Sequence, residues 1–128
     1  MKTRLWNAAL AAALVSLGAR AEVDKKTERT WKAKCASCHG ADGKGKTDQG
    51  KKLKISDYTS AAWQKSKTDD ELKKAIAQGV SREKDGVKQE MQGYKDALPA
   101  EQIDQLVAYV RSLKDAHKKA AKRSRKAK

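Results

Sequence analysis

Cys35-Ala36-Ser37-Cys38-His39-Gly40 is the stretch on which the reading of this chain turns. Two thiols three positions apart, with an imidazole directly after the second, put three strongly interacting groups on one short segment. That spacing suits covalent haem c attachment: the thiols reach the two vinyl groups of one porphyrin edge, and the adjacent histidine is placed to ligate iron. Competing chemistries want features that are missing here. A redox dithiol wants a βαβ context, and a zinc site wants two further ligands at nearby spacing. The only other histidine is His117, far along the chain among basic residues.

Working outward, the chain has 128 residues, 30 Lys+Arg against 16 Asp+Glu, a net charge of +14 and a mean hydropathy of −0.89. This length suits one domain, and no apolar run reaches the ~20 residues of a spanning helix, which excludes a polytopic membrane protein and a multidomain enzyme. There is no Phe, and aromatic residues make up only 5%. Small domains bury a smaller share of their surface than large ones, so a core this thin points to a bound group completing the interior. Cys35 and Cys38 are the whole thiol complement, so no disulfide network braces the fold.

Residues 1–21 have a basic start, an apolar run from Leu5 to Gly18, and the small-residue ending Ala19-Arg20-Ala21. This pattern reads as a cleaved export signal, with cleavage after Ala21 and a mature start at Glu22. Export places the protein in a bacterial periplasm or outside the cell. Losing Lys2, Arg4 and Arg20, and no acid, takes the charge from +14 to +11. Seven bases and no acid lie between Lys118 and Lys128, which leaves about +4 for residues 22–117. The expected organisation is therefore a signal (1–21), one domain (22–117) and a basic tail (118–128) that is disordered or a fraying extension of the last helix.

The mature body reads as all-α. One helix is expected from about Val23 to Ala36, with Asp24 as cap and Val23, Thr27, Trp31 and Cys35 spaced by four. Another starts at the capping-box pattern Thr68-Asp69-Asp70-Glu71 and stops at Gly79, with Leu72, Ala75, Ile76 and Val80 on one face. The clearest runs from about Pro99 to Ala116, with a stripe of Ile103, Leu106, Val107, Val110 and Leu113. A short helix is expected within Asp57–Trp63. Gly40–Leu53 and Ser81–Leu98 read as loops, and no segment has the alternation that argues for strands.

Iron on His39 has a sixth position to fill. After cleavage Met91 is the only methionine left, and its neighbours Lys88-Gln89-Glu90 and Gln92-Gly93 are too polar for a residue there merely to fill a core gap. A thioether ligand favours the ferrous state. His117 is the second candidate.

Together the haem motif, Gly43-Lys44-Gly45, the Met91-x-x-Tyr94 segment, and the closing Glu101-Gln102-Ile103 and Leu106-Val107-Ala108-Tyr109-Val110 runs resemble a small monohaem class I cytochrome c of the soluble bacterial type. The resemblance covers about residues 24–115. It implies the cytochrome c fold, helices wrapped around one covalent haem, with His39 and Met91 on the iron and an electron-carrier role. It also implies that the first and last helices cross, with Trp31 packed on Leu106 and Tyr109. One departure concerns the proline whose carbonyl commonly orients the haem histidine. Here that region is Gln49-Gly50-Lys51-Lys52-Leu53, so another carbonyl is expected to accept the His39 N–H. Tyr58, Trp63 and Tyr94 are candidates to line the haem pocket or bond a propionate.

A six-coordinate His/Met haem moves one electron and does no bond chemistry, so the expected protein is a monomeric carrier rather than an enzyme. The alternative is a gas sensor or redox enzyme subunit with a displaceable sixth ligand. A further reading makes the basic tail the function, as a binding module. Charge favours redox partners with acidic docking faces, or an anionic membrane surface met by the tail, and not nucleic acid.

Overall fold

The structure is a computed structural model that describes residues 23–127. The expected signal segment 1–21, Glu22 and Lys128 lie outside the described residues.

Helix α1 (Lys25–Lys34) begins where Asp24 accepts the Thr27 N–H at 2.6 Å, supplying a partner to one of the first-turn donors that have none within the helix. It stops at Lys34, short of the expected Ala36, and a single further turn, α2 (Ala36–His39), carries the thiols and imidazole to Gly40. Gly40 takes φ +84°, a conformation glycine adopts without steric cost. The stretch expected as loop after it holds α3 (Asp48–Lys52), capped by Thr47. Helix α4 (Ala61–Ser66) sits later than the expected Asp57–Trp63, because Asp57 accepts from Thr59 in a turn and Ser60 is the cap. Helix α5 (Asp69–Gln78) has the expected capping box at Thr68 and Glu71 and ends at Gly79.

The segment from Ser81 was expected to be loop, and here the structure corrects the sequence reading. Strands β1 (Val80–Lys84) and β2 (Val87–Met91) form an antiparallel hairpin, with Val80 opposite Met91 and Arg82 opposite Gln89. Its turn is Asp85-Gly86, both at positive φ (51° and 74°), the pairing that matches strand twist in a two-residue hairpin. The rest of the described chain is mostly helical.

Helix α6 (Ala100–Lys126) follows Pro99 and runs past the expected end at Ala116 to carry the basic segment. Its whole stripe, Ile103, Leu106, Val107, Val110 and Leu113, is buried. Trp31 of α1 packs into this core with Leu72 of α5, and its ring lies 5.1 Å from that of Tyr109. Burying side chains of this kind contributes ~1.5–3 kcal/mol each. Where α1 crosses α6, Gln102 donates to the fully buried Thr27 hydroxyl at 3.1 Å, so neither polar group is left unpaired. Arg111 fastens α4 to α6, donating to the backbone carbonyls of Gln64 and Lys67 and to Asp69.

Candidate cofactor site

A cavity of about 840 Å³ opens between these elements, lined by Cys35, Cys38 and His39 on one side and Met91 on another. The haem-motif residues and Met91, which lies 52 positions after His39, are thus brought to one space. The expected pocket residues Tyr58, Trp63 and Tyr94 line it too, with apolar walls from Leu72, Ile76, Leu106 and Val110. Met91 does not sit in a loop as expected. It ends β2.

Each side of the cavity is fixed by backbone contacts. On the haem-motif side, the Trp31 indole donates to the Gly40 carbonyl at 3.1 Å, and Thr47 donates to the Cys38 carbonyl at 2.6 Å. Gly50 of α3 lies so close that a Cβ there would stand 2.7 Å from the Cys38 carbonyl and 2.1 Å from that of Gly45. On the Met91 side, Tyr94 and Lys95 donate their N–H groups to the Ile76 and Ala77 carbonyls at 2.9 and 3.0 Å. A Cβ on Gly79, at φ +81°, would meet the Met91 carbonyl at 2.3 Å. The Tyr94 hydroxyl then ties this side to α1, donating to the Lys34 carbonyl at 3.2 Å.

The imidazole of His39 lies between aromatic rings, 5.8 Å from Trp31 and 5.1 Å from Tyr58, and Tyr58 stacks on Trp63 at 4.1 Å. Burial pushes the His39 pKa down to about 4, so the ring is neutral and keeps a nitrogen lone pair for a metal. The carbonyl expected to accept from His39 is not found: Nδ1 is buried with no hydrogen-bond partner among the described residues. Residues 48–52 form α3, and the carbonyls of Thr47, Gln49 and Gly50 are taken by the N–H groups of Lys51, Leu53 and Ile55.

Cys35 and Cys38 are free thiols, and burial pushes Cys35 up to about 11. A thiol so protonated makes a poor redox nucleophile. No group of three or more His, Cys, Asp or Glu side chains fit to hold a metal ion occurs among the described residues, so the zinc reading finds no support there. Two thiols, a neutral imidazole and a thioether around a mostly apolar cavity do fit a covalently held haem. Sequence reasoning missed Arg82 and Gln89, which line the cavity from the hairpin. The Asp85-Gly86 pair was the signal that could have found them.

Comparison with known proteins agrees with this geometry. The family model for cytochrome c matches residues 25–114. Among solved structures, the KustC0563 c-type cytochrome superposes with a TM-score of 0.58 at 28% identity, covering 69% of this chain and 96% of that one. A tyrosine-to-phenylalanine variant named Kustc0563 gives a TM-score of 0.56 at 28% identity, with 68% and 96% covered. No curated protein matches significantly.

Proposed function

This chain belongs to the cytochrome c family, whose business is haem-based electron transfer, and from that premise we propose that it shuttles single electrons through one haem c whose iron His39 and Met91 would ligate. The observation that carries the proposal is the convergence of Cys35, Cys38, His39 and Met91 on one cavity. Bound there, the haem supplies a one-electron iron couple. The protein's own residues do the rest. Cys35 and Cys38 anchor the group as thioethers, and the neutral His39 imidazole supplies one ligand. Met91, braced by the close approach of Gly79 to its carbonyl, supplies the other. Trp63, Tyr58 and the apolar residues of α5 and α6 keep water from the ring, which lowers the reorganisation that accompanies each change of charge.

The test is the visible spectrum of protein matured with haem, beside Met91→Ala. A low-spin spectrum with the far-red sulfur-to-ferric-iron band, lost in the variant, is the expected result. A high-spin spectrum, or one indifferent to Met91, would overturn the ligation and move the reading to a sensor or enzyme with an open site.

The basic, apolar and small-residue order of residues 1–21 supports export and work in the periplasm. For partners, the support is α6. At about 100° per residue, Lys118, Lys119, Lys122, Arg123, Arg125 and Lys126 fall on one half of the helix, and Ala120, Ala121 and Ser124 on the other. All nine are exposed. No large apolar side chain accompanies them for insertion into lipid, so the reading favours electrostatic docking to the acidic face of a redox partner.

A further inference from the structure

The hairpin that carries Met91 also carries an arginine with an unfinished set of hydrogen bonds. Arg82 stands opposite Gln89, and strand alternation puts both on the face shared by Val80 and Met91, which lines the cavity. Gln89 is buried, at 8% exposure. Its amide nitrogen donates to the Leu53 carbonyl at 2.6 Å and reaches that of Lys54 at 3.3 Å. Those two acceptors decide which way the amide points, leaving its oxygen to accept the Arg82 Nε–H at 2.8 Å. Arg82 is thus held by its inner nitrogen through a buried side chain that is itself fixed to another segment. Its two outer nitrogens have no acceptor, and no carboxylate pairs with it, among the described residues.

A guanidinium presents a rigid fork of donors that matches a carboxylate, and Arg82, an exposed residue, is among those that line a mostly apolar pocket. We propose that Arg82 binds a propionate carboxylate of the haem, with Gln89 as its positioning residue. This rests on the haem reading above. Lys34, Lys67 and Lys74 also line the cavity, but no side chain orients their ammonium groups among the described residues. Of the acids there, Glu71 is engaged in the α5 capping box and Glu90 pairs with Lys88 at 2.7 Å, so neither competes for Arg82. Burial pushes Tyr58 up to about 12, so it remains a neutral phenol through the neutral range.

The experiment uses the haem-loaded protein and follows the midpoint potential against pH for the parent, Arg82→Gln, Arg82→Lys and Lys84→Gln. Lys84 is on the same face of the same strand, so its loss removes one charge without touching the fork. A propionate paired with Arg82 stays ionised across the neutral range. Without the pairing its pKa rises, and each propionate that loses its proton as pH rises favours ferric iron and lowers the potential. Arg82→Gln is therefore expected to add an inflection, with the potential falling as pH rises, that the parent and Lys84→Gln lack. Arg82→Lys, which keeps the charge and loses the fork, should show a smaller one, and it carries the test if Arg82→Gln does not load haem. A parent-like profile in the variant read, or the same inflection in Lys84→Gln, would overturn the proposal. A parent that fails to bind haem, or whose spectrum ignores Met91, would instead defeat the functional reading.

Discussion

Gly50 sits where the sequence departs from its family, in the stretch that commonly holds a proline. The absent side chain lets α3 lie directly on the backbone of the haem motif, with a would-be Cβ 2.1 Å from the Gly45 carbonyl and 2.7 Å from that of Cys38. Backbone oxygens cannot swing aside as a flexible side chain can. Gly50→Ala is therefore expected to destabilise the haem-loaded protein by about 1–3 kcal/mol, the usual cost of overpacking, read as a lowered denaturation midpoint. An unchanged midpoint would mean that α3 can withdraw from the motif at no cost. The residues that line the cavity around the haem motif, with Met91, could be named one by one from residue type and spacing. The Gly50 contact could not, because nothing in Gln49-Gly50-Lys51 says which backbone will approach it.

At the scale of elements, termini were legible and short pieces were not. Thr68 and Glu71 announced α5, and Asp24 announced α1, because a cap is a local contact between near neighbours. The Asp24 carboxyl is held below its ordinary 3.8, first by the Thr27 N–H. A depressed folded-state pKa means that this stabilisation is complete above 3.8 and lost as pH falls through the lower folded value. The stability gap between parent and Asp24→Ala should accordingly be full at neutral pH and close in acid, which denaturation series at several pH values will read. The hairpin was missed because its strands, Val-Ser-Arg-Glu-Lys and Val-Lys-Gln-Glu-Met, are charged and lack β-branched alternation; Asp85-Gly86 is their one strong signal. Its junction with α5 is where Gly79 lies against the Met91 backbone. Gly79→Ala forces a positive-φ, extended backbone (φ +81°, ψ −176°) on a residue with a Cβ, at ~1–3 kcal/mol, and pushes on the Met91 carbonyl 2.3 Å away. Weakening of the far-red sulfur band together with lower stability is expected; a band of full intensity would mean that Met91 is held independently of Gly79.

For the molecule as a whole, charge and core are separated along one helix. The α6 stripe through Leu113 closes the body, and its side chain packs at Gly43 beside the haem motif. Beyond it the helix carries only exposed residues from Lys118 onward. Deleting residues 118–128 should therefore leave the denaturation midpoint within about 0.5 kcal/mol of the parent, as for surface changes generally. It should also slow association with an acidic redox partner at low salt, with the difference fading as salt screens it. Equal rates at low salt would remove the tail from docking, and adsorption of the full chain to anionic vesicles as strong as to the acidic protein would assign it to membrane instead.

The sequence by itself determined the cofactor chemistry, the family and the main helices, since each rests on contacts between residues a few positions apart: Cys35 to His39, Thr68 to Glu71, the four-residue rhythm from Ile103 to Leu113. Tertiary structure alone decided that His39 and Met91 line one cavity, that α3 lies against the backbone of the haem motif, and that Gln89, where it holds Arg82, is anchored on Leu53. The contact of Gln89 with Leu53 joins segments 36 residues apart in the chain, and no local pattern encodes such a partner. Only the closure of the chain around a common core brings them within hydrogen-bonding distance.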